Sequence, residues 1–115
     1  VLSIMVAHIA IEGNKEFDTN GLPSTCSKKV VTELLREKME YKGIIVTDAM
    51  NMGGVRNVPN NSVKAIAAGC DILLMPANAR KAHQEIWEHY KTGDKEFNSS
   101  VHESAKRIIR MKVCL

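Results

Sequence analysis

The segment Tyr41-Lys42-Gly43-Ile44-Ile45-Val46-Thr47-Asp48-Ala49-Met50-Asn51-Met52 decides the fold. Ile44 to Thr47 is an unbroken β-branched run, opened by Gly43 and closed by a carboxylate. A strand with one wet face alternates apolar and polar residues, whereas a continuous run marks a strand covered on both faces, as in parallel sheets. Asp48 stands where such a strand meets its following loop. That loop, Asn51 to Asn61, is polar and holds Gly53, Gly54 and Pro59.

The scheme extends in both directions. Upstream, Leu2 to Ile11 is a β-rich run broken at Glu12-Gly13-Asn14, and a polar connection runs from Asn14 to Pro23. Ser27 is predicted to cap a helix with Val30, Val31, Leu34, Leu35 and Met39 on one face. Downstream, Ser62 is predicted to cap a helix over Val63 to Ala68, closed by Gly69 at the C′ position. Asp71 to Met75 reads as the next buried strand, ended by Pro76. Asn78 caps a helix carrying Ala79, Ala82, Ile86 and Tyr90, which Gly93 stops. Ser100 with Glu103 suggests a capping box for a last helix, with Val101, Ala105, Ile108 and Ile109 facing inward.

The order is β-α-β-α-β-α plus one helix, a parallel α/β arrangement with right-handed crossovers. Helices on one face leave the other face of a three-stranded sheet bare, although the strands read as covered on both. Either the chain pairs with itself or it belongs to a closed barrel. The barrel also accounts for a start inside the apolar run Val1 to Val6, without initiator Met or basic leader. The expectation is therefore that residues 1–115 are the last three βα units and a C-terminal helix of a (β/α)8 barrel.

Composition narrows the functions. The 115 residues, 12.8 kDa in mass, make one domain. Sixteen Lys and Arg against 13 Asp and Glu give a net charge of +3, without a basic stripe, which argues against nucleic acid. Hydrophobic residues at 44% and charged residues at 25% are ordinary for a globular domain. No apolar run reaches the roughly 20 residues of a membrane span. Cys26, Cys70 and Cys114 are odd in number and far apart, so packed thiols are expected rather than a metal site or disulfides. Neither metal nor cofactor is called for.

Several separate motifs, in order, carry a resemblance. The segment from Tyr41 to Met52 resembles the nucleophile segment of family 3 glycoside hydrolases, in the β-N-acetylglucosaminidase and bacterial β-glucosidase-like branch. Ile4-Met5-Val6-Ala7-His8-Ile9 is similar to the family's preceding strand, and Leu22-Pro23-Ser24-Thr25-Cys26-Ser27 to its helix entry. Leu34-Leu35-Arg36-Glu37-Lys38-Met39 matches a family segment in which Glu40 replaces the usual Gly before Tyr41. Ala68-Gly69-Cys70-Asp71-Ile72-Leu73-Leu74-Met75 matches the strand that follows. The resemblance covers nearly the whole chain. It implies that Asp48 is the nucleophile of a retaining hydrolase, attacking the anomeric carbon to form a glycosyl-enzyme. Met50 and Met52 follow it closely enough to pack against a sugar face, or serve loop packing instead. His8 ends the preceding strand and either lines the site or is a structural histidine satisfied within the fold. A plain turn cap is the alternative for Asp48 itself.

The family's upstream Lys-His stretch and His–Asp acid/base pair have no counterpart in this chain. His83, His89 and His102 fall on the two C-terminal helices and read as flank residues. General acid help is worth ~10²–10⁴-fold, so the segment alone is expected to be inactive while the parent cleaves β-glycosides. The bare sheet face leads to the expectation that the isolated segment self-associates. A receiver-like phosphoacceptor domain would also place an Asp at a strand end. It would need an acidic pair by the first strand, where Ala7 and His8 stand instead. A non-catalytic α/β interaction module is the third reading. Cellular location stays open on these residues.

Overall fold

The chain packs a short parallel sheet against a layer of helices, and the computed structural model describes residues 1–114. Strands β1 (Ser3–Val6) and β2 (Ile44–Thr47) pair in parallel, from Ser3 opposite Ile44 to Val6 opposite Thr47. Beside β2 runs a third parallel segment, held by one bridge between Val46 and Ile72. The expected strand over Asp71 to Met75 is thus reduced to a single rung. Thr47 is the cause: its Oγ1, not a backbone carbonyl, accepts the Leu74 N–H at 3.0 Å. Met75 then turns to φ 44°, and Pro76 has no N–H to offer.

β1 also stops earlier than the apolar run suggests. The carbonyl of Ile9 accepts both Ser24 N–H and Ser24 Oγ–H, and that of Ile11 accepts Thr19 N–H. Those groups are committed to the loop and cannot join a ladder.

A helix with π-type spacing, Lys29–Lys38, follows a single 3-10 turn at Ser24–Cys26. It buries Val30 and Val31, whereas Met39 beyond its end is exposed. The Ser27 side chain does not cap it. Only the Ser27 carbonyl takes part, accepting from Val30 and Val31. The wide spacing shows at its end, where Met39 N–H reaches Leu34 O at 2.9 Å. Glu40 then adopts φ 54°, a left-handed conformation that suits glycine. Glu40, where the family resemblance leads one to expect Gly, thus holds a conformation that Gly adopts without a Cβ penalty.

The loop after β2 contains one helical turn, α1 (Gly53–Arg56), and helix α2 runs Asn61–Ala68. Ser62 lies buried inside α2 rather than capping it. Gly69 ends the helix at φ 115°, with Gly69 N–H on Ile66 O and Cys70 N–H on Ala65 O, the Schellman pattern. Helix α3 (Ala79–Lys91) starts as expected, Asn78 Oδ1 accepting Lys81 N–H at 3.0 Å, and it stops before Gly93 at φ 82°. Helix α4 spans Lys95–Cys114, beginning well before Ser100. Asp94 is its cap, through Oδ1 to Phe97 N–H, so the Ser100–Glu103 box is not formed at a helix start. Phe97 and Ser104 face inward, whereas Ile109 is 61% exposed.

Two apolar clusters hold the layers together. Val6, Val31, Ile45, Ala68 and Cys70 form one, and Cys26, Met50, Val55 and Ala65 the other. Burial pushes the thiols of Cys26 and Cys70 up to about 11 and about 12, so both are un-ionised and unreactive near neutrality. Register places Ile4 and Val6 on the helix side with Ile45. The open sheet face is therefore Met5, Val46, Ile72 and Leu74, of which Met5 is 55% exposed. Ile44 is buried despite facing that side, in a cleft shared with Arg107 and Met111 of α4. Among the described residues, no helix is long and apolar enough to cross a membrane.

Candidate active site

Asp48 lies at the carboxyl end of β2, half-buried, its backbone N–H bonded to Val6 O at 2.9 Å. Its Oδ1 accepts the next amide, Ala49 N–H, at 2.8 Å. A turn-capping Asp would take an N–H two or three residues on. Here Met50 N–H goes instead to Leu74 O, and the turn closes through Met52 N–H to Ala49 O. The carboxylate is thus not used as a cap. Among the described residues its Oδ2 accepts no hydrogen bond.

His8 sits on the neighbouring strand end and touches two separate segments. Nε2 is 2.9 Å from Ala49 O, and Nδ1 is 2.7 Å from Thr25 Oγ1. Both ring nitrogens are therefore engaged within the chain. Thr25 is fully buried and belongs to the 3-10 turn. Gly54 presses on the same place, since a Cβ there would stand 3.0 Å from both Cβ and O of His8.

The two methionines separate. Met50 is 2% exposed and packs into the second core cluster, which puts its side chain on the inner side of the loop. Packing, rather than contact with a sugar, is what this geometry supports for it. Met52 is 46% exposed on the outer side of the loop and stays available to a ligand. Under this edge a cavity of about 360 Å³ is lined by Met50, Arg56, Asn57, Asn61, Pro76 and Asn78. Thr25, Ala49 and Gly54 escaped notice as site residues. Thr25 and Ala49 each stand in a quoted motif, Leu22 to Ser27 and Tyr41 to Met52, and Gly54 in the Gly-containing loop after it.

The other carboxylate of interest lies at the opposite sheet edge. Asp71 is buried and receives four donors: Ile45 N–H (2.8 Å) and Arg36 Nη2 (2.5 Å) on Oδ2, Ser104 Oγ (2.6 Å) and Arg107 Nη1 (2.9 Å) on Oδ1. Burial draws the Arg36 guanidinium below its ordinary value, against the opposing pull of Asp71. Every accepting direction of this carboxylate is filled, so it ties β2, the π-spaced helix and α4 together and has no capacity left for a substrate.

Parallel strands with a sparsely bonded carboxylate at their carboxyl ends define a class, the α/β scaffolds whose working side chains gather on that edge. The chain belongs to glycosyl hydrolase family 3, and residues 1–111 match the family's N-terminal domain. It is 36% identical over 98 residues to beta-hexosaminidase A of Pseudoalteromonas piscicida, covering 76% of this chain and 16% of that protein. It is 30% identical over 87 residues to the beta-N-acetylglucosaminidase/beta-glucosidase of Cellulomonas fimi, covering 68% of this chain and 15% of that protein. The crystal structure of the beta-N-acetylglucosaminidase from Thermotoga maritima superposes with a TM-score of 0.78 at 26% identity, covering 94% of this chain and 24% of that one. The chain thus spans no more than about a quarter of any of these three proteins.

Proposed function

We propose that this chain is the nucleophile-bearing segment of a retaining β-glycosidase, the last three βα units and final helix of a (β/α)8 catalytic barrel. The parent would act on terminal β-N-acetylglucosaminides or β-glucosides. The observation that carries the reading is the Asp48 carboxylate: it ends a parallel strand, caps no turn, and among the described residues has one oxygen that accepts no hydrogen bond. In the first step that oxygen attacks the anomeric carbon, the bond to the leaving oxygen breaks, and an acid elsewhere in the parent protonates it. Water then releases the sugar from the ester. Ala49 N–H holds the other oxygen, Oδ1, at 2.8 Å and so fixes the orientation of the carboxylate. Met52 is the side chain best placed to face the sugar.

The acid is not supplied here. His102 Nε2 pairs with Tyr90 Oη at 2.7 Å and His89 with Asp94 at 3.2 Å, both among the helices outside the sheet. The isolated segment is therefore inactive in this reading. A 2-fluoro β-glycoside, which forms the ester faster than water resolves it, should label Asp48 in the full-length protein. Peptide mapping that finds the label on another carboxylate removes Asp48 from the role.

The open face carries a second expectation. Met5 is about half exposed and forfeits roughly 1 kcal/mol, and the partly exposed Val46, Ile72 and Leu74 forfeit less each. The sheet also keeps unpaired edges. The 115-residue chain by itself should therefore self-associate, most simply as a two-fold dimer. Sedimentation at micromolar concentration tests this, and a monomer with a cooperative melt would sink it.

A further inference from the structure

We infer that His8 is a positioning residue for the nucleophile, acting through Ala49 rather than on the sugar; this rests on the assignment of Asp48 above. Ala49 is held at both ends. Its N–H donates to Asp48 Oδ1 at 2.8 Å, and its carbonyl accepts from His8 Nε2 at 2.9 Å. A carbonyl only accepts, so Nε2 carries a hydrogen, which is present in either protonation state of the ring. Thr25 Oγ1 lies 2.7 Å from Nδ1 and 3.1 Å from Ala7 O. With a neutral ring the Thr25 hydroxyl donates its hydrogen to Nδ1, which accepts. With a cationic ring the hydroxyl turns to Ala7 O and accepts from Nδ1. The hold on Ala49 survives both arrangements. Gly54 closes the remaining side, where a Cβ would meet His8 at 3.0 Å. With both nitrogens committed, the ring has no polar atom left for a sugar hydroxyl.

A residue that aims the nucleophile changes the rate of bond formation and leaves sugar binding alone. Trapping with the 2-fluoro glycoside in the full-length protein reads the two quantities separately, as the saturating rate and the binding constant. His8→Ala should lower the saturating rate by about 10²-fold, the scale on which a misplaced reacting group acts, with the binding constant unchanged. His8→Gln, which keeps a donor nitrogen for Ala49 O, should recover most of the rate. Thr25→Val, nearly the same shape without the hydroxyl, should give an intermediate loss. A structural role alone would lower the melting midpoint and leave the folded enzyme's rate intact. A weaker binding constant at unchanged rate, or a folded His8→Ala protein at full rate, overturns the proposal. Where His8→Ala fails to fold, His8→Gln and Thr25→Val decide by the same two readings. The position of the label keeps the two assignments apart. A label away from Asp48 ends the nucleophile reading, whereas a label on Asp48 with an unaltered His8→Ala rate ends only the role of His8.

Discussion

Asp48→Ala in the full-length protein is expected to lower turnover of an aryl β-glycoside by about 10⁴-fold or more, the scale on which removing a catalytic nucleophile acts. The substitution deletes the atom that forms the new bond, so no rearrangement of neighbouring groups compensates. Stability should change little, because the carboxylate is half-buried and its one bond is to the adjacent amide of Ala49. The melting midpoint should accordingly stay near that of the parent. Added azide, a small anion able to occupy the vacated space, should restore part of the turnover. Displacement at a β-anomeric carbon inverts it, so the product should be an α-glycosyl azide. Turnover within about tenfold of the parent would remove Asp48 from the chemistry, since even general acid–base help alone is worth more than that.

Asp71→Ala should do the reverse, with folding rather than chemistry as the casualty. Removing it leaves Arg36 and Arg107 facing each other without their shared counter-ion, with side chains 12% and 24% exposed. Ile45 N–H and Ser104 Oγ lose their acceptor as well. Deleting one partner of a buried pair is destabilising by about 3–5 kcal/mol. That is comparable with the ~5–15 kcal/mol total of a typical domain. Denaturant unfolding of the full-length protein should show the loss as a lower midpoint with an unchanged slope. Asp71→Asn, which keeps the shape but not the charge, should fall between. A midpoint unmoved by Asp71→Ala would show that the four donors find other partners at no cost.

These two expectations come from residues of the same type, and the sequence distinguishes them by position alone. Asp48 follows its apolar run and Asp71 precedes one, which in a parallel sheet puts them on opposite edges. That much was legible, as were Asn78, Gly69 and Gly93 at helix ends, because each rests on local backbone chemistry. The helix after Ser27 starts where expected, without a side-chain cap, whereas Ser62 and Ser100 fall inside helices already begun, for a common reason. A Ser, with or without a following Glu, fits a capping pattern, but tertiary packing decides whether the turn before it is already helical. Asp94 outcompeted Ser100 by starting α4 a turn and a half earlier. The shortened third strand was illegible because its missing rung is taken by a side chain, Thr47 Oγ1, which no periodicity reveals. The link from Thr25 through His8 to Ala49 joins residues 17 and 41 positions apart, and such contacts leave no trace in spacing.

The opposite placement of the two carboxylates bears on how such a chain can diverge. What anchors the layers, Asp71 with its two arginines and Ser104, lies at the amino ends of the strands. The residues proposed to face the sugar, Asp48 and the exposed Met52, lie at the carboxyl ends. Substitutions in the loops there can therefore accumulate without drawing on the reserve that keeps the chain folded. Met50 and Thr25, buried beneath the loop, and Gly54, whose missing Cβ leaves room for His8, are the exceptions, since their replacement disturbs scaffold and site together. A library aimed at new sugar preference would leave those three fixed and vary the loop's outer residues, Asn51 and Met52 first.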